Sequence, residues 1–198
     1  MKLIGITGGI GAGKSAILSY LALHYNCRIE LADEVAHRLK EPGGICYEAL
    51  VELLGKEVLE PDGRIHKGRM AEIIFSDSEK LAAVNALVHP AVRNYLLCEI
   101  EKERRAAEKD YFFLEAALLI EEGYEKIVDE LWYIYASKEE RRKRLMESRG
   151  YTEEKVKSIM AGQLDDAEFR KHCSFVIDNN QSLEETYRQI DGKLREGK

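Results

Sequence analysis

Proline, tryptophan and cysteine are scarce in this sequence, with three, one and four residues among 198. Cys27, Cys46, Cys98 and Cys173 stand too far apart for a C-x-x-C pair or a zinc cluster, which excludes a disulfide-stapled secreted scaffold and leaves reduced thiols as the expectation. No run of about 18 apolar residues occurs, so an ordinary membrane-spanning helix is excluded. The start MKLIGITGG reaches glycine after only a few apolar residues and does not read as an export segment. Positive charge is also short. A net charge of −6 gives no general pull on nucleic acid or anionic membrane, so any basic site must be local. A base-reading N-K-x-D element is absent too, which argues against a guanine-nucleotide switch. These absences imply a cytoplasmic protein without nucleic-acid or membrane partners; the oligomeric state cannot be read from them.

What is present suffices for one full-sized core with room for a small appended subdomain, since 45% of the residues are apolar and 33% charged. Residues 2–7, 27–31, 111–119 (YFFLEAALL), 131–136 (LWYIYA) and 174–178 (SFVID) read as short strands, the third with a helical ambiguity at its alanines. Helical stretches separate them, at residues 14–25 and 33–40 for example, ahead of the Pro42-Gly43-Gly44 break. This alternation predicts an α/β fold, a parallel sheet wrapped by helices. From Ile45 to Asp110 the spacing is helical, with Val88, Val92, Tyr95, Leu96 and Ile100 on one face. His89-Pro90 reads as a helix start, and S-x-x-E capping boxes begin at Ser76, Ser137 and Ser182.

Gly8-Gly9-Ile10-Gly11-Ala12-Gly13-Lys14-Ser15 satisfies G-x-x-x-x-G-K-[ST] between a predicted strand and a predicted helix, the context that motif needs. Glycines let backbone N–H groups turn inward on phosphate oxygens, and the helix N-terminus adds partial positive charge. Gly9, Ile10, Gly11, Ala12, Gly13, Lys14, Ser15 and Ala16 are therefore the expected nucleotide cradle. Lys14 would reach the β and γ phosphates, and the Ser15 hydroxyl would ligate Mg2+. Asp33 follows the second strand, where ligands of parallel sheets gather. It can take or orient the proton of an acceptor hydroxyl, or simply cap the next helix; both readings stand. His37 shares its helix face and could meet substrate phosphate. Arg141, Arg142, Lys143, Arg144 and Arg149 form a basic run after the fourth strand, either a solvated helix face or a lid folding arginines over ATP, with Arg144 the leading lid candidate because Leu145 and Met146 anchor the helix beside it. Glu115 lies within the third apolar run and Glu121-Glu122 follow its end; an acidic residue near this strand is a candidate for holding magnesium through water, with strand-end solvation the other reading. His24, His66 and His172 gain no role from their settings.

The whole pattern resembles the dephospho-coenzyme A kinase family. The resemblance runs over nearly the entire chain and is carried by GITGGIGAGKS, LADEVAH, DGRIHKGRMAEIIF, NALVHPAV, ALLIEEG, RRKRLMESRGYTEE and FVIDNN. It implies a P-loop NTPase-type domain spanning 1–198, a helical CoA-side subdomain at about 41–110 and a lid at about 138–163. It further implies transfer of the ATP γ-phosphate to the ribose 3′-hydroxyl of dephospho-CoA, the last step of coenzyme A biosynthesis. On this resemblance Asp33 is the base, Arg144 sits in the lid, Asn179 lies near adenine, and His89 and Arg93 face the acceptor cleft. Leu31, Ala117 and Ser148 depart from the family's usual aspartate, proline and arginine. The alternatives are another P-loop small-molecule or nucleotide kinase, and a nucleotide-binding sensor without catalysis.

Overall fold

The computed structural model describes residues 1–196. The chain forms two compact units, residues 1–29 together with the chain from 107 onward, and residues 30–106. The first unit is built on a five-stranded sheet of order β2-β3-β1-β4-β5, the strands being β1 Lys2–Thr7, β2 Cys27–Leu31, β3 Tyr111–Glu115, β4 Glu130–Tyr135 and β5 Phe175–Asp178. β1 pairs in parallel with β3 and with β4, and β4 in parallel with β5. Helices cover both faces of such a sheet, so its central strands are apolar throughout: Ile4, Ile6, Phe112, Phe113, Trp132 and Ile134 are all fully buried. Because β1 lies between β3 and β4, the chain leaving its carboxyl end emerges at the point where strand order reverses, the usual ligand position in an open α/β sheet.

The remaining elements of this unit are α1 Lys14–His24, a 3₁₀ turn at Tyr124–Lys126, α6 Lys138–Arg149, α7 Glu153–Ala161, α8 Asp166–His172 and α9 Leu183–Glu196. α1 is tied to α9: the Tyr20 and Tyr187 rings stack with centroids 3.8 Å apart, and the Tyr20 and Tyr25 hydroxyls donate to Asp191 at 2.8 and 2.6 Å. Burial raises both phenols, the Asp191 carboxylate adds to the effect, and the Tyr20 hydroxyl is pushed to about 12. The four cysteines are free thiols, and burial pushes that of Cys173 to about 12.

A carboxylate pins the start of β1 to β4. Glu130 accepts from Lys2 Nζ at 2.6 Å and from the Trp132 indole at 2.8 Å, with Lys193 Nζ at 3.5 Å. Burial alone would raise its carboxyl, but the bonds from Lys2 and Trp132 and the charges of Lys2 and Lys193 outweigh that and hold it below the usual range. A depressed carboxylate contributes stability that is complete above its unfolded pKa and is lost as pH falls through the lower, folded one. Glu130→Gln is therefore expected to cost on the order of 1–2 kcal/mol at pH 7. Melting temperatures of the two proteins should converge as pH is taken well below 4; a constant gap would contradict this account.

The second unit is helical: α2 Ala32–Lys40, α3 Tyr47–Leu54, a 3₁₀ turn at Lys56–Val58, α4 Lys67–Ser76 and α5 Ser78–Ala106. α5 is the scaffold on which α2, α3 and α4 pack, through Val84, Val88, Val92, Leu96 and Ile100. A single antiparallel bridge, Leu59 to Ile65, closes the DGRI turn.

Three local expectations are corrected. Pro90 does not start a helix; α5 runs through it for 29 residues. An internal proline removes one ladder bond, yet the apolar stripe from Val84 to Ile100 continues on both sides, and its burial carries the helix across. Ser76 is not a cap either. It ends α4, its hydroxyl donating to the Ile73 carbonyl, while Asp77 accepts from the Glu79 and Lys80 N–H groups and caps α5. At Ser137 and Ser182 the hydroxyl does accept from the N–H three residues on. Finally, β3 stops at Glu115, and residues 117–123 turn instead of extending to Leu119.

Candidate active site

The glycine loop joins β1 to α1 and is shaped by conformations that side chains disfavour: φ is +79° at Gly11 and +94° at Gly13. Space is lacking as well as conformational freedom. A β-carbon at Gly13 would lie 2.2 Å from the Asn179 amide nitrogen, and one at Gly11 would lie 2.9 Å from the Arg141 carbonyl. Gly13 also caps α1 without a side chain, and no acidic residue occupies the first turn of that helix. The first N–H groups of a helix have no partner within it, so this end of α1 carries uncompensated positive character directed at the loop.

Lys14 Nζ lies across the loop, donating to the Gly8 carbonyl at 2.7 Å and standing 3.4 Å from a Glu115 carboxylate oxygen. Glu115 ends β3 in register with Ile6, which brings an acidic group beside the loop at the carboxyl edge of the sheet. Ser15, second in α1, is exposed. The buried Thr7 hydroxyl at the end of β1 has no hydrogen-bond partner among the described residues. Glycine positions closed to β-carbons, an unpartnered hydroxyl beside the loop and a carboxylate and ammonium paired at its mouth fit a nucleotide phosphate with a divalent cation. Ser15 and Glu115 are the oxygen donors suited to that cation.

The chain beyond β4 closes on the same loop. Arg144 donates to the Asn179 carbonyl at 2.7 Å and to the Ala12 carbonyl at 3.4 Å, and pairs with Glu140 at 3.0 Å. The buried Asn179 amide donates to the Ala12 carbonyl at 2.8 Å and accepts from the Thr186 hydroxyl at 2.9 Å. Lys14, Ser15, Arg144 and Asn179 are thus brought together around the loop. Arg149 at the end of α6 is exposed, and the Ser148 hydroxyl donates back to the Arg144 carbonyl at 2.5 Å. Arg141, which the sequence showed only as one of the basic run, and Gln163, which sequence reasoning did not name, both bond to the backbone of Ile10 in the loop. Arg141 precedes the buried Leu145 by one helical turn, and that spacing was the signal for it.

In the second unit Asp33 is the second residue of α2, and its side chain is exposed; Leu31 holds the N-cap position. Burial lowers the pKa of Lys40 on the same helix, the Lys67 charge lowers it further, and the Asp33 charge opposes both. His37 pairs with Glu41 at 3.2 Å and lines a cavity of about 580 Å³ with Glu60, Arg64, His66 and Lys67. His66 there accepts from the Gly68 and Arg69 N–H groups as the cap of α4. His89 and Arg93 are half-buried, one turn apart on α5.

A parallel sheet with a glycine-rich phosphate loop between its first strand and first helix defines the class of P-loop nucleotide-binding proteins. The family model for dephospho-CoA kinase matches residues 2–185, and the chain belongs to that family, a family of ATP-dependent transferases. A dephospho-CoA kinase of Streptococcus mutans is 36% identical over 194 residues, covering 98% of this chain and 96% of its own length. A crystal structure of a Thermus thermophilus protein superposes with a TM-score of 0.82 at 34% identity, covering 98% of this chain and 97% of that one. A dephospho-CoA kinase from Campylobacter jejuni has the same fold, with a TM-score of 0.73 at 23% identity and coverage of 99% and 97%. Among the described residues no helix is long and apolar enough to cross a membrane.

Proposed function

We propose that this protein transfers the γ-phosphoryl group of ATP to the 3′-hydroxyl of dephospho-CoA in the cytoplasm. The observation that carries this reading is the family match over residues 2–185, joined to a glycine loop shaped for phosphate. The acceptor oxygen forms a bond to the γ-phosphorus, the bond to the β-phosphate oxygen breaks, and ADP leaves. The loop from Gly9 to Ala16 holds the phosphates and Lys14 faces the β and γ groups. Magnesium, bound through Ser15 and Glu115, would neutralise phosphate charge. Asp33 orients the acceptor hydroxyl and receives its proton. His37, His89 and Arg93 serve the acceptor, with residues 41–110 as the acceptor-side subdomain. Residues 138–163 act as the lid that excludes water, with Arg144 over the transferring charge and Asn179 beside the adenine.

A loose transition state leaves little covalent work to the protein, so positioning and charge should supply most of the rate. Incubation with magnesium ATP and dephospho-CoA, followed by mass analysis, should yield CoA and ADP in equal amounts. Transfer to a different acceptor in a panel of nucleosides and small alcohols, with none to dephospho-CoA, would overturn the acceptor. Tight ATP binding without transfer to any acceptor would overturn the enzyme.

A further inference from the structure

Arg141 is 7% exposed, yet among the described residues no carboxylate is in ion-pair contact with it. Its partners are neutral: Nε donates to the Ile10 carbonyl at 2.8 Å, and Nη2 donates to the Gln163 amide oxygen. The same amide oxygen accepts from the Ile10 N–H at 3.1 Å, so both backbone groups of Ile10 are held at once, one from α6 and one from the loop after α7. The guanidinium also fills the place where a side chain on Gly9 would go, its Nη2 lying 2.2 Å from the β-carbon position. Burial lowers the pKa of this arginine, against a smaller opposing influence of Tyr133, as expected for a cation lacking a counter-charge. A buried charge without an opposite partner is costly to the fold. A cost of this kind, placed against a phosphate-binding loop, is one that an incoming polyanion relieves.

We propose that Arg141 is a positioning residue for nucleotide: it locks Ile10 of the phosphate loop to Gln163, and it supplies a buried positive charge that bound nucleotide phosphate compensates. The inference rests on the reading of the loop as an ATP site and goes beyond it, because it assigns ATP affinity to a residue with no role in the acceptor. It also makes a signed statement about stability. Removing the charge should leave the nucleotide-free protein as stable as before or more so, while weakening nucleotide binding.

The experiment compares Arg141→Gln, Arg141→Lys and Gln163→Glu with the unaltered protein. Calorimetric titration with ATP and ADP is combined with melting temperatures in the presence and absence of ATP and with steady-state kinetics. Arg141→Gln should weaken ATP binding about tenfold, raise KM for ATP by a similar factor, and leave KM for dephospho-CoA and kcat within about threefold. Arg141→Lys retains the charge and should restore most of the affinity. Gln163→Glu places the missing counter-charge against the guanidinium, so it should raise the melting temperature of the nucleotide-free protein and weaken ATP binding as Arg141→Gln does. It also serves in place of Arg141→Gln should that variant fail to fold. Unchanged ATP affinity in both charge-neutralising proteins would overturn the inference, and so would lower stability without ATP in both. Nucleotide binding by the unaltered protein reports on the functional reading itself, and the ratio between variant and unaltered protein reports on Arg141.

Discussion

Lys14→Ala is expected to lower turnover by about 10²- to 10³-fold, the loss typical when one preorganised donor to developing charge is removed. Such a loss corresponds to about 3–4 kcal/mol of transition-state stabilisation. The fold should survive it. Lys14 gives one hydrogen bond to the Gly8 carbonyl and one ion pair to Glu115, and neither holds a strand to the sheet. Their loss is worth about 1–2 kcal/mol, a shift of a few degrees in melting temperature. ADP affinity should fall less than turnover does, because the ammonium is assigned to the β and γ phosphates and the backbone cradle remains. Turnover and melting temperature measured on the same preparation check both halves. Near-normal turnover in a folded protein would remove the loop from the mechanism.

The glycine loop was readable because its constraint is local: a strand, a turn that rejects β-carbons and a helix start lie within fifteen residues, and residue type alone reports each. The order of elements was readable for a similar reason, since buried strands such as YFFLE and LWYIY cannot alternate polar residues. The 1–29 portion and the chain beyond 107 lie far apart in sequence yet share one sheet, and the segment between them shows its helical period without showing where the units divide. Pro90 misled because a backbone rule was applied where the packing of a 29-residue helix prevails. Ser76 and Asp77 are adjacent candidates for one cap, and the choice between them depends on where α4 ends. Arg141 was visible only as one of the basic run, and Arg144 was preferred to it, because its partners, Ile10 and Gln163, stand 131 and 22 residues away. A run of five basic residues says nothing of which one turns inward; only the one-turn spacing to Leu145 does so.

Asp33→Asn is expected to lower kcat by about a hundredfold, at the low end of what a general base contributes, because a dissociative transfer demands little proton removal before the transition state. ATP affinity should stay within about threefold of the unaltered protein, as the assigned partner of Asp33 is the acceptor hydroxyl. The carboxylate is exposed on the first turn of α2 and takes no part in its cap, so losing its charge costs the helix dipole interaction, about 0.3–1 kcal/mol, together with its attraction to Lys40. Asp33→Glu separates charge from position. It keeps the carboxylate but moves it by one methylene, and it should lose nearly as much turnover as asparagine does if alignment of the hydroxyl is what matters. Single-turnover measurement of CoA formation, with ATP saturating, isolates the transfer step from product release. A rate within threefold of the unaltered protein in both variants would leave the acceptor hydroxyl to be oriented by another group, and the half-buried pair His89 and Arg93 on α5 would be the next to change.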